Sequence, residues 1–235
     1  MVVPPGEVLD EARVAAARGD FEVALERYER FFDRALLDQG ADNNYYGVRL
    51  SYCLSEWARL AEKHDPAKKR LEEKAGEALA AFEETREAEK FHDFQAISGK
   101  LGRKEQVLEQ FVSYHKLKPE LARVAIRFMW DRLVEAQQWD LCAAHLGDPD
   151  AKYKRALDKF DQAMEVCESE PSFGGEEFAE QIRGWYVRDV GNLLMVLKNT
   201  GQHDLAERLD QIAVNDMQAR GHSQLVERVR ARAAL

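Results

Sequence analysis

The sequence predicts an all-α protein, an α–α superhelix (solenoid) of antiparallel helix pairs with about twelve helices. Apolar residues recur near a 3.6-residue period along almost the whole chain. Strand-forming chemistry is scarce: Thr85 and Thr200 are the only threonines, and there are four isoleucines. The prolines fall where helices accept them. Pro4 and Pro5 precede the first helix and Pro171 lies in a loop, whereas Pro66, Pro119 and Pro149 occupy first helical turns, where a missing N–H costs nothing. Asp65 and Asp148, each just before a proline, are read as helix caps.

The first helix is expected over residues 7–18, and Phe21, Ala24, Leu25, Tyr28, Phe32, Ala35 and Leu36 stripe the second. Tyr46, Leu50, Cys53, Trp57, Leu60 and Ala61 stripe the third, and a fourth covers 66–88. Gly102 splits the next pair, with Phe91, Phe94, Ile97 and Leu101 before it and Val107, Leu108 and Phe111 after it. A seventh helix follows Pro119 and a short eighth starts near Trp139. The cleanest stripe, Tyr153, Ala156, Leu157, Phe160, Ala163, Met164 and Cys167, belongs to a helix over 149–168. A loop over 169–175 leads to a long helix through Phe178, Trp185 and Leu197, then one through Leu209 and Met217, and a closing segment over 222–235.

Residues 8–29 read VLDEARVAAARGDFEVALERYE: a small-residue helix, a Gly-Asp-aromatic turn and a second amphipathic helix. Gly19-Asp20-Phe21 with Ala24, Tyr28 and Ala12 resembles the tetratricopeptide repeat family, whose units are antiparallel helix pairs. Related patterns follow at Gly102, Phe111 and Pro119, at Gln137, Trp139, Cys142 and Leu146, and at Gly201, Ala206 and Ala213. Lys104, Val107 and Asp210 depart from it. The chain is thus read as a single, irregular TPR-like repeat domain over 1–235, with a degenerate pair at 43–88, an inserted helix at 149–168 and a C-terminal cap at 222–235.

No window is apolar enough to span a membrane, and no leader is read at the amino terminus. Cys53, Cys142 and Cys167 are an odd set within helical stripes, which suits a reducing, cytoplasmic setting. A net charge of −9 opposes non-specific attraction to nucleic acid. No phosphate-binding glycine loop, Cys-x-x-Cys pair or histidine pair at ligand spacing occurs, so neither a metal, a cofactor nor a catalytic set is expected. The acidic pairs Glu72-Glu73, Glu83-Glu84 and Glu176-Glu177 point in different directions along their helices.

The resemblance implies that the first helix of each pair lines a groove. Candidate groove residues are Tyr45, Arg49 and Tyr52 on the third helix, His92 on the fifth, Arg127 and Asp131 on the seventh, and Arg188 and Asn192 on the tenth. Arginine in such a groove suits a carboxylate, through its planar fork. The lysine–asparagine clamp of the family's chaperone-tail binders is not reproduced, the matching face offering Leu9, Asp10 and Arg13. The expected function is a non-catalytic scaffold for a protein or peptide partner. The alternative is an enzyme or small-molecule sensor with a polar cavity built from Arg49, Tyr52, His92, Arg127 and Asp131. An apolar edge at Leu225, Val229 and Leu235 would suit a second copy of the chain.

Overall fold

The computed structural model describes residues 5–35, 45–169 and 175–235. Pro4, Leu36 and, of the loop expected over 169–175, residues 170–174 with Pro171 lie outside the described residues. The chain is all-α. In order run α1 (Pro5–Arg18), α2 (Phe21–Arg34), α3 (Tyr46–Val48), a π-helical segment (Arg49–Cys53), α4 (Leu54–Ala61), α5 (Asp65–Thr85), α6 (Ala88–Lys100) and α7 (Lys104–Leu117). Then come α8 (Pro119–Glu135), α9 (Trp139–Ala144), α10 (Pro149–Ser169), α11 (Gly175–Asn199), α12 (His203–Ala219) and α13 (Gln224–Arg232). With 46–61 taken as one run these are twelve helices, and no strand occurs among the described residues.

Sequence neighbours pack as antiparallel pairs, the packing of an α–α solenoid. There are two compact units, Met1–Met129 and Trp130–Leu235. In the first, α1 packs on α2, α4 on α5 and α5 on α6; in the second, α10 packs on α11 and α11 on α13. No helix among the described residues is long and apolar enough to cross a membrane.

One turn recurs. At Gly19, Gly102, Gln137, Gly201 and Gly221 the backbone enters the left-handed region, with φ between 52° and 84°. In each, the turn residue's N–H donates to the carbonyl three residues back, and the next N–H reaches the carbonyl five back from itself. Examples are Asp20 to Ala15 at 3.0 Å, Arg103 to Ser98 at 2.8 Å and Gln138 to Leu133 at 2.9 Å. This is the Schellman closure, which satisfies carbonyls at a helix end and needs a residue that tolerates positive φ. Four positions are glycine; Gln137 is not.

The small and aromatic positions of the first pair are core: Ala12 and Ala24 are fully buried, and Tyr28, Phe31 and Phe32 nearly so. Phe82, Phe91 and Tyr114 form a second aromatic cluster, with Phe82 and Phe91 centroids 5.1 Å apart. In α10, however, only Tyr153 and Phe160 of the expected stripe are buried, and Ala156, Leu157, Ala163, Met164 and Cys167 are half-covered. Leu225 and Val229 are buried in the chain's own packing, leaving Leu235 exposed. Asp148 caps α10, accepting the Asp150 N–H at 2.9 Å. Asp65 does not cap α5: that helix starts one residue earlier than expected, so Asp65 lies inside its first turn behind His64. Cys53, Cys142 and Cys167 are all free thiols.

Candidate functional site

The main departure from simple helical register lies between Arg49 and Cys53. Read as an α-helix, residues 45–61 align Tyr45, Arg49, Tyr52 and Glu56 on one face. The π turn holds more residues per turn than an α turn and rotates that face. Arg49 is carried inward, to 4% exposure, and Tyr52 outward, to 63%. Tyr45 sits edge-on against Phe31 with centroids 5.8 Å apart.

Arg49 is fully engaged. Its Nε donates to the Phe32 carbonyl at 2.7 Å, near the end of α2, and both Nη atoms reach the Asp93 carboxylate on α6, Nη2 at 2.7 Å. Its guanidinium lies 3.6 Å from the Phe32 ring centroid. A buried arginine needs such a set, because each lost partner leaves a desolvated charge. This is a tie between α2, the π segment and α6.

His92 stacks on Phe128 with centroids 4.2 Å apart, and burial pushes its pKa down. The Arg127 guanidinium lies 4.4 Å from the same ring and pairs with Glu89. In the second unit Asp131 takes Arg188 at 3.2 Å and accepts from Asn192 Nδ2 at 3.0 Å. Asn192 is fully buried and accepts from Arg232 Nε at 2.9 Å. Next to it a Cβ on Gly191 would stand 2.5 Å from Arg232 Cγ, so α13 sits directly on the backbone of α11. The expected row is therefore divided among separate local clusters: Arg49 in the core, His92 with Arg127 about Phe128, and Asp131, Arg188 and Asn192 on α8 and α11.

Besides a concavity of about 520 Å³ along α1 and α2, the first unit has an open trough of about 330 Å³ between α1 and α4 over α2. The α1 wall is Arg13, Ala16 and Ala17; Phe21 and Tyr28 floor it; Glu56, Arg59, Leu60 and Lys63 form the opposite wall. Each wall has a simple local cause. Ala12 and Ala15 turn into the core, so Arg13, Ala16 and Ala17 face away from it, and the two alanines leave room. After the π turn the count restarts at buried Leu54 and Trp57, which places Glu56, Arg59 and Lys63 along the trough.

The charges in the trough are unequal. Arg13 makes a forked contact with Glu56, Nε to Oε2 at 3.0 Å and Nη2 to Oε1 at 3.1 Å, and also holds Asp10 at 2.9 Å. Donating to the Glu56 carboxylate raises the Arg13 pKa. Arg59 and Lys63 are exposed and have no ion-pair partner among the described residues. Tyr28 is buried at 2%, and desolvation, with Glu56 nearby, pushes its phenol to about 12, so it stays neutral. The sequence reading missed Arg59 and Lys63, although spacings of three and seven from Glu56 continue one side of the helical period. Among the described residues no cluster of three metal-ligating side chains occurs. Searches of family models, of curated proteins and of solved structures find no match to this chain.

Proposed function

We propose that the protein is a non-catalytic scaffold of the TPR-like kind, holding an extended segment of a partner protein in the trough between α1 and α4. The observation that carries this reading is the trough itself: two first-in-pair helices facing each other across an aromatic floor, with alanines on one side and unengaged cations on the other. The five Schellman turns at related places in the chain support the repeat-like part of the reading. An extended segment suits the site because its backbone is narrow and alternate side chains reach opposite walls.

A displayed random-peptide library selected on the whole protein tests it. Recovered peptides should lose most of their binding to Ala17→Trp, which fills the trough from an exposed helical position at a stability cost of less than about 1 kcal/mol. Binders indifferent to that change would place recognition elsewhere and overturn the assignment.

A further inference from the structure

We infer that the trough selects an internal acidic–apolar–acidic segment of its partner, the two carboxylates meeting Arg59 and Lys63 and the apolar side chain between them facing Ala16 and Ala17. This rests on the proposed scaffold reading and adds the partner's chemistry to it.

Charge supplies the first argument. The chain carries a net charge of −9. Within the trough Arg13 is compensated by Glu56 and Asp10, whereas Arg59 and Lys63 have no carboxylate partner among the described residues. Arg59 lies in the last turn of α4 and Lys63 just beyond its carbonyl end, which contributes a partial charge of only about −0.5 against two full positive ones. That end of the trough is positive on a protein that is negative overall, and a segment bearing carboxylates is favoured there.

Geometry supplies the second. Arg59 lies in the last turn of α4 and Lys63 in the turn that follows it, its N–H bonded to the Leu60 carbonyl at 3.0 Å, so the two cations stand about one helical turn apart, roughly 5–6 Å, along the same wall. Successive same-side residues of an extended chain are about 6.7 Å apart. An extended segment running along the α4 wall therefore presents residues i and i+2 in register with the two cations. Residue i+1 points to the opposite wall, where Ala16 and Ala17 leave space above the apolar floor at Phe21. A lone terminal carboxylate would satisfy one cation and leave the other in place, so the match favours paired side-chain carboxylates within a chain.

The test is fluorescence anisotropy on the whole protein with short labelled peptides carrying Glu-Leu-Glu, Ser-Leu-Glu, Ser-Leu-Ser or Lys-Leu-Lys in a Gly/Ser background with blocked ends. Glu-Leu-Glu should bind at least tenfold tighter than Ser-Leu-Ser, with Ser-Leu-Glu between them and Lys-Leu-Lys weakest. Arg59→Gln/Lys63→Gln should remove the acidic preference while leaving the melting temperature in place, both residues being exposed. Raising the salt concentration should reproduce the loss. Equal binding of acidic and neutral peptides, still lost in Ala17→Trp, would overturn the acidic preference and leave the scaffold reading standing. An acidic preference unchanged by Arg59→Gln/Lys63→Gln would overturn the assignment of these two cations. Binding of none of these peptides, together with no trough-dependent binder from the library, would overturn both readings.

Discussion

Two arginine–carboxylate pairs involve the same helical run, and their surroundings give them opposite roles. Arg49 with Asp93 is sealed at about 5% side-chain exposure, with every guanidinium donor group directed into the protein. Arg13 with Glu56 is half open, the arginine 42% exposed and the glutamate 14%. In both, a guanidinium forks onto a carboxylate, through the two Nη atoms in the first pair and through Nε and Nη2 in the second. Water decides the difference: removing a partner in the sealed pair strands a charge that nothing can hydrate, whereas in the open pair solvent or a ligand can take its place. One pair holds helices together, and the other shapes a surface that a partner can reach.

Breaking the sealed pair should have the largest effect. Arg49→Ala or Asp93→Ala is expected to destabilise the first unit by about 3–5 kcal/mol in urea denaturation, because each leaves its partner buried and unpaired. The double replacement Arg49→Met/Asp93→Leu should recover most of that loss. If it does not, the hydrogen bond to the Phe32 carbonyl and the contact with its ring matter more than the ion pair.

A backbone change gives a scale on which both pairs can be placed. Gln137 occupies the left-handed position of a Schellman turn without being glycine. Gln137→Gly should raise stability by about 1 kcal/mol, measured by the same denaturation, whereas Gly102→Ala should lower it by a similar amount.

In the open pair, Glu56→Gln and Arg13→Gln should each shift stability by no more than about 1 kcal/mol. They should separate in binding. Glu56→Gln releases Arg13 toward the trough and is expected to tighten the Glu-Leu-Glu peptide severalfold, whereas Arg13→Gln leaves Glu56 uncompensated and weakens it. Equal effects of the two changes would mean that the pair acts only by shape.

The smallest effect is expected from Arg127→Glu/Arg188→Glu. These side chains are about half exposed and already paired with Glu89 and with Asp131 and Asp189. Reversal should cost about 1 kcal/mol or less per site and leave binding of the trough peptide unchanged. A large loss of peptide binding would move the site away from α1 and α4.

Much of the helical plan is legible in the chain because its cause is local. Gly19, Gly102 and Gly201 mark turns through their tolerance of positive φ, Pro119 and Pro149 mark helix starts, and Ala12, Ala24 and Tyr28 lie on the buried face that a 3.6-residue period assigns them. The candidate site is legible only in part. Extending a regular period through residues 45–61 joins Arg49 and Tyr52 to Glu56, and the π turn separates them. The α10 stripe shows the same limit differently, since apolar spacing indicates which face can be buried and not how much neighbouring structure covers it.

The sequence by itself determined that this chain is helical, where most of its helices begin and end, and which faces are apolar, since turn tolerance, proline geometry and periodicity act over a few residues. Only the tertiary structure decided that Arg49 is a buried tie to Asp93, that Arg13 is compensated by Glu56, forty-three residues away, and that Arg59 and Lys63 face an open trough with no carboxylate opposite them among the described residues. The reason is physical: whether a charge is structural or available depends on which distant groups desolvate or neutralise it, and those groups come together only when the helices pack.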